Sequence, residues 1–419
     1  MQSRTTKIIS IAAATVVVLG LVAGAYFFFF YGKSPTLTTG TVSSGNPFGS
    51  GGSQAGTGST GTDTGTSDTG ANDSGNIPAQ VAPKLVEISS APVGKGFIAL
   101  DATTTAQSAS SSAPTSGVAV RYIDRESGNM YQYATVSNSS TRLTNHTVPG
   151  VQEVSWLPDG STAYLRFLST GTGADEHIDT YRLPADGSDG SFLAEDLAEV
   201  IPESTTHVFT LAPNSSGSVG YLEAADGTSP AVLFSSFLSS LSVRSSAGAM
   251  VAFTKPSANL DGYAFLVSQK TGAFTSILGP YRGLSALPSP SGTRVLFSYT
   301  DGGNPHLAFY DTTTHATTPL PLLTLADKCV WSADGADAYC ASPVSVPSGT
   351  LPDDWYQGTT SFTDRLWKID FTARAATQVA DLPTLVSTPV DAVSLTIDQD
   401  ESELVFMNKS DDSLWAYSL

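Results

Sequence analysis

Val154–Phe167 reads VSWLPDGSTAYLRF: an apolar strand, a turn of Leu157-Pro158-Asp159-Gly160, then a second apolar strand. Two β-rich runs separated by a Pro-Asp-Gly turn form a hairpin, because Pro presets the turn and Gly accepts positive φ. The pattern returns as LAPNSSGSVGYLEA from Leu211, VRSSAGAMVAFTK from Val243, LPSPSGTRVLFSY from Leu287 and VWSADGADAYCAS from Val330. A looser first copy places its turn at Gly117 before VAVRYID, and a last one, LTIDQDESELVFMN from Leu395, has Glu401 where the others have Gly. With turns at 117, 160, 217, 248, 292, 335 and 401, the intervals are 43, 57, 31, 44, 43 and 66 residues. Three intervals agree within one residue; the others read as a trimmed unit and two units with inserted loops. A period of about 40–45 residues with four strands per unit marks a β-propeller blade.

A third strand, often aromatic, follows each hairpin: NMYQYAT, IDTYRLP, YAFLVSQ, HLAFYDT, RLWKIDF, SLWAYSL. A shorter polar fourth strand, such as TRLTNHT, completes most units. The expected fold is all-β, a seven-bladed propeller of four-stranded antiparallel blades over residues 79–419. The turns that follow Trp156 and Trp331, Leu157-Pro158-Asp159-Gly160 and Ser332-Ala333-Asp334-Gly335, resemble the W-S-P-D-G repeat of TolB-type propellers, bacterial relatives of WD-repeat propellers. The stretch KCVWSADGADAYCASP … LPDDWYQGTTSFTDRLWKID is similar to a family of membrane-anchored bacterial propellers, a resemblance that implies a surface location. TolB-type propellers act in cell-envelope complexes, but this chain lacks their additional α/β domain. Trp156, Trp331, Trp367 and Trp415 are expected to pack between blades, where facing sheets need large side chains.

Ile8–Tyr31 is an unbroken run of 24 apolar or small residues. As a helix it spans roughly 36 Å, enough to cross a bilayer core of about 30 Å. Arg4 and Lys7 precede it and only Lys33 follows closely, so residues 1–7 are expected in the cytoplasm and the rest outside. Cleavage after Ala23-Gly24-Ala25 would leave YFFFFY at a mature terminus, so 8–31 reads as an uncleaved anchor. Residues 32–78 are almost all Gly, Ser, Thr, Asn and Asp. They cannot bury enough apolar surface to offset ordering entropy and read as a disordered linker with a reach of roughly 35–40 Å.

The 419-residue chain has 38 acidic against 20 basic residues, a net charge of −18, which repels nucleic acid and anionic lipid. No two of His146, His177, His207, His306 and His315 have metal-ligand spacing, and no cofactor is expected. There is no G-x-S-x-G elbow. The acidic turns DGSDGS (186–191) and DQDESE (398–403) lack calcium-loop spacing and read as solvated turns.

Naming blade strands a to d outward, the insertions 342–362, 169–176, 198–204 and 382–390 are assigned to b–c or d–a connections, which open on one face. The longest carries Asp353, Asp354, Trp355 and Tyr356, the candidate binding residues. Paired carboxylates beside aromatics suit a sugar. The function expected is a recognition or scaffold module for an envelope protein or wall polymer, non-enzymatic; the alternative is a glycoside hydrolase centred on Asp353 and Asp354.

Two pairings are also expected. A hairpin centred on Asp334-Gly335 sets Cys329 opposite Cys340, at disulfide distance, in an exported and therefore oxidising environment. The last copy supplies strands 391–397, 403–408 and 413–419 and then ends, so 84–89 (KLVEIS) is expected to complete the seventh blade beside 413–419. An unpaired 413–419 edge would invite association.

Overall fold

The computed structural model describes residues 84–104, 115–170, 176–246 and 249–419. The expected anchor 8–31 and linker 32–78 lie outside them. Residues Ala79–Leu419 form one compact unit. Among the described residues no helix is long and apolar enough to cross a membrane.

Leu85–Ser89 is β1. The first blade is then β2 (Ile98–Thr104), β3 (Thr115–Ile123), β4 (Met130–Ala134) and β5 (Ser139–Arg142). The second is β6 (Val151–Trp156), β7 (Thr162–Thr170), β8 (Glu176–Pro184) and β9 (Ser191–Phe192). The third is β10 (Glu199–Pro202), β11 (His207–Asn214), β12 (Gly217–Ala224) and β13 (Ala231–Ser236). The fourth is β14 (Leu241–Ser246), β15 (Ala249–Thr254), β16 (Asp261–Val267) and β17 (Phe274–Arg282). The fifth is β18 (Ser285–Pro288), β19 (Arg294–Asp301), β20 (Asn304–Asp311) and β21 (Thr317–Pro319). The sixth is β22 (Cys329–Trp331), β23 (Asp337–Pro343), β24 (Asp364–Asp370) and β25 (Ala375–Ala380). The seventh, β26 (Ala392–Ile397), β27 (Glu403–Asn408) and β28 (Ser413–Ser418), takes β1 as its outer strand. Two single-turn helices, α1 (Asp353–Tyr356) and α2 (Leu382–Leu385), lie in sixth-blade connections.

The chain is thus a seven-bladed β-propeller of four-stranded antiparallel blades. The ring closes as the sequence suggested: Leu85 pairs with Tyr417, Val86 with Ala416 and Glu87 with Trp415.

Second strands lie between two neighbouring blades and are buried on both faces. This is why Ala163–Arg166 and Val295–Ser298 are continuously buried, whereas the outer β5 is exposed throughout. Seven apolar clusters fill the seven blade interfaces. Leu296, Phe309, Trp331 and Phe371, for example, join blades five and six. The interface between blades seven and one also takes in Leu351, Trp355 and Phe362 from the 344–363 loop.

The structure corrects the strand assignment in two blades. Gly117 is not in the first a–b turn but on β3, opposite Ala102, and the pairing of β2 with β3 runs on to Thr104 and Thr115. In the third blade the hairpin at Gly217 joins β11 to β12, the second and third strands. The true inner strand is Glu199–Pro202 and its turn is 203–206, so 198–204 is no inserted loop and its turn opens on the opposite face. With that turn centred near Ser204, the intervals of 57 and 31 become 44 and 44.

The a–b turns described in blades two, five, six and seven share one geometry. Gly160, Gly292 and Gly335 have φ of +68°, +68° and +69°, the left-handed region where a Cβ is penalised. Glu401 occupies the same position at φ +54°. Its carboxylate accepts the Tyr339 hydroxyl at 2.9 Å and lies 3.6 Å from Lys368, tying blade seven to blade six.

Candidate functional site: the channel mouth and the loop across it

Residues of six inner strands, with Lys95 and Gly96 just ahead of β2, line a cavity of about 350 Å³ whose wall mixes apolar side chains such as Val200, Val243 and Leu395 with charged ones. Glu153 comes from β6, Glu199 opens β10, Arg244 lies on β14, and Asp327 lies in the turn Ala326–Lys328 that leads into β22. The Arg244 guanidinium reaches Glu199 at 3.6 Å and Asp327 at 3.5 Å, bridging two acids from separate blades. Asp327 also accepts the Ser285 hydroxyl at 2.6 Å and the Tyr356 hydroxyl. Glu153 pairs with the buried Arg166.

Burial raises the Glu199 carboxyl above its ordinary range against the pull of Arg244, and the like charge of Glu153 adds to the rise. Asp327 goes the other way: burial is outweighed by Arg244 and by hydrogen bonds from Ser285 and Tyr356, and its pKa is lowered. Burial, then the neighbouring Asp327 carboxylate, holds the Tyr356 phenol well above its usual value. The mouth therefore presents a cation fixed between anions of unequal basicity, with a protonated phenol beside them.

The 344–363 connection, b–c of blade six as assigned, crosses this face. The Thr300 hydroxyl of blade five donates to the Leu351 carbonyl at 2.9 Å. Asp353 accepts the Ala258 amide of blade four at 2.7 Å. Asp354 accepts the Thr350 amide at 2.7 Å, closing the loop on itself. Trp355 is 4% exposed and its indole N–H donates to Asp391 at 2.9 Å. Tyr356 alone of the four stays open, 42% exposed, with its hydroxyl turned to Asp327. Of the four candidate residues, Asp353, Asp354 and Trp355 thus hold the loop in place, and Trp355 and Tyr356 line the channel.

Glu199, Arg244 and Asp327 were not singled out from sequence. They sit 45 and 83 residues apart with ordinary neighbours, and only the blade register brings them together; a corrected third blade would have put Glu199 at the start of an inner strand. His177, Asp179 and Glu195 were also missed as a group, and their ligand-type atoms lie within 4.8 Å of one another. His177 and Asp179 share a face of β8 while Glu195 lies between β9 and β10, and the Asp179 carboxylate already accepts the Ser169 hydroxyl at 2.7 Å. In the acidic turn 398–403, Asp398 is buried and accepts the amides of Ser402 and Glu403, while Gln399, Asp400 and Ser402 are exposed. In 186–191, Asp186 accepts the Ser188 amide at 2.9 Å.

No protein-family profile and no curated protein matches the chain. Solved structures similar in fold include TolB from Acinetobacter baumannii, at 12% identity over 77% of this chain and 80% of that one, with a TM-score of 0.42. A Kuenenia stuttgartiensis hydrazine synthase chain is 10% identical over 72% and 92%, with a TM-score of 0.47. An oligogalacturonate lyase in complex with manganese is 10% identical over 72% and 74%, with a TM-score of 0.35. The TolB-type resemblance of the W-x-x-D-G turns holds at the level of the fold, and likenesses this distant carry no function across.

Proposed function

We propose that the chain is a membrane-anchored, extracytoplasmic recognition module whose b–c and d–a face engages another envelope protein or wall polymer. The observation that supports this is the asymmetry of the two faces. Among the described residues, one carries tight turns such as 157–161 and 332–336. The other carries the 344–363 loop, α2 and the channel mouth, where the Arg244 guanidinium and the exposed Tyr356 ring lie. The hydrolase reading loses its support, because Asp353 and Asp354 already accept backbone amides. Paired acids for sugar hydrolysis must instead converge on the scissile bond.

A photo-cross-linking residue at the exposed Gln357, introduced into the full chain in its own membranes, should capture a discrete envelope protein or glycan. The same residue at exposed Ala333, on the tight-turn face, should capture none. Capture at Ala333 but not at Gln357 would overturn the assignment of the face. Protease added to intact cells should release a soluble fragment starting within 33–80; protection from protease would overturn the orientation.

A further inference from the structure

Lys328 ends the turn whose preceding residue, Asp327, lines the channel, yet its own side chain is fully buried. Two carboxyls meet its nitrogen: Asp364 at 2.8 Å, from the start of β24, and Asp391, from the residue before β26. Both are themselves fully buried. Trp355 and Phe362 cover the amine, their ring centroids 5.2 and 5.1 Å from it. One ammonium between two carboxylates, sealed from water, leaves an uncompensated buried charge, which is costly.

The two carboxyls are not equivalent. Asp391 Oδ2 accepts Trp355 Nε1 at 2.9 Å, the Phe362 amide at 2.9 Å and the Ser361 hydroxyl at 3.1 Å, so its anion is well solvated by the protein. Asp364 Oδ2 accepts the Ala392 amide at 2.8 Å, while its Oδ1 has no partner. Burial, against the pull of Lys328 and reinforced by Asp391, pushes the Asp364 carboxyl up to about 6. The pocket thus holds an amine, a carboxyl with one unbonded oxygen, and a fixed carboxylate able to move protons between them.

We infer that Lys328 and Asp364 become joined by an intramolecular amide bond, with Asp391 as the proton relay. Asp391 takes a proton from the ammonium and frees the lone pair of Nζ. That nitrogen attacks Cγ of protonated Asp364, forming the C–N bond. Asp391 then passes a proton to the Asp364 hydroxyl as its C–O bond breaks, and recovers one from the nitrogen. Water leaves, the amide remains, and Asp391 ends neutral. No oxidant or co-reactant enters, and the pocket loses all its formal charge, which favours the product in a low-dielectric site. The bond staples the entry of blade six to the base of its third strand, directly behind the loop that crosses the channel.

Intact mass of the full chain, purified in detergent and reduced, tests this first: the linked protein is one water lighter than its sequence. Trypsin locates the bond. An acylated Lys328 resists cleavage, so 295–365 should persist as one peptide, one water light, which ordinary digestion divides after Lys328. Asp391→Asn, which removes the relay at constant size, should restore the sequence mass and cleavage after Lys328. Full sequence mass with ready cleavage there would overturn the proposal, leaving an ion cluster. So would a lost water accompanied by cleavage after Lys328, which places the dehydration elsewhere. A link to the peptide 375–409 would overturn the choice of Asp364, because Asp391 lies there.

Discussion

The indole N–H of Trp331 donates to the backbone carbonyl of Leu287 at 3.2 Å, across the joint between blades six and five. Trp156 makes the same bond, also at 3.2 Å, to Gly96 at the joint between blades two and one. In each case an arginine on the second strand of the preceding blade returns the contact. Arg294 donates to the Gly335 carbonyl at 3.3 Å and Arg121 to that of Gly160 at 2.7 Å. The W-x-x-D-G repeat is therefore a blade-to-blade clamp: Trp reaches back, and the Gly carbonyl receives the neighbour's arginine. Replacing Trp331 with Phe keeps a ring against Phe371 but leaves the Leu287 carbonyl without this donor, and should cost about 1–3 kcal/mol. Trp331→Ala should cost about 3–5 kcal/mol by opening a cavity. Urea unfolding of the two variants checks the order; equal losses would show that the hydrogen bond contributes nothing.

Asp327 makes a pH-dependent contribution whose sign follows from its lowered pKa. It faces Arg244, Ser285 and Tyr356, with Lys95 also acting on it. A carboxyl depressed in the folded state stabilises fully above its unfolded pKa and loses that contribution as pH falls through the folded value. Asp327→Asn should therefore be less stable than the parent at pH 7, by about 1–3 kcal/mol for charged hydrogen bonds. The difference should shrink as the pH is taken below the ordinary 3.8. Denaturant midpoints of both proteins between pH 7 and pH 3 measure this, and a gap that widens on acidification would refute it.

Cys329 and Cys340 are directly opposed across β22 and β23 and form a disulfide, with Cα atoms 4.1 Å apart. The register is the one the Asp334-Gly335 turn dictates, since Trp331 pairs with Ala338 and Val330 with Tyr339. Exported protein should resist alkylation until reduced. By loop closure over a sequence separation of 11, reduction should cost at most about 3 kcal/mol. Reduction should leave the fold intact, because neighbouring strand pairs keep the register; near-ultraviolet circular dichroism lost on reduction would contradict this.

How much was legible follows from what each feature needs. The blade period, the ring closure and the cysteine pairing depend on turns and strand alternation, which are local and repeated. The third blade misled because β11 and β12 are apolar around an Asn-Ser-Ser-Gly turn and imitate an inner hairpin. The real inner strand, Glu199-Val-Ile-Pro, is short and is followed by a turn without glycine. Trp355 reads as a surface aromatic in a polar loop, yet it packs with Phe362 and bonds Asp391, a residue from the next blade. The same is true of Arg244 with Asp327, and of Lys328 with its two acids. Arg244 and Asp327 lie on different blades, Lys328 meets Asp391 of the next blade and Asp364 of its own, and no spacing along the chain announces any of them.

The closure of the ring makes the last blade depend on the first described strand. β1 hydrogen-bonds along β28, and Val86 and Ile88 pack against the cluster that joins blades seven and one. The Lys84 ammonium lies 5.7 Å from the Tyr417 ring centroid. Removing 79–90 strips this strand, bares the 413–418 edge and uncovers apolar side chains at the joint between blades seven and one. Bringing those ends together also carries a loop-closure cost that only the pairing offsets. The deletion should lower the melting temperature of the whole propeller and promote association through the open edge. Deleting 34–75, which shortens only the expected linker, should leave the melting temperature unchanged. Calorimetry on the two deletions, with sedimentation to follow association, separates the cases. An unaltered melting transition after loss of 79–90 would mean that blade seven holds with three strands and that the β1 pairing is not what closes the ring.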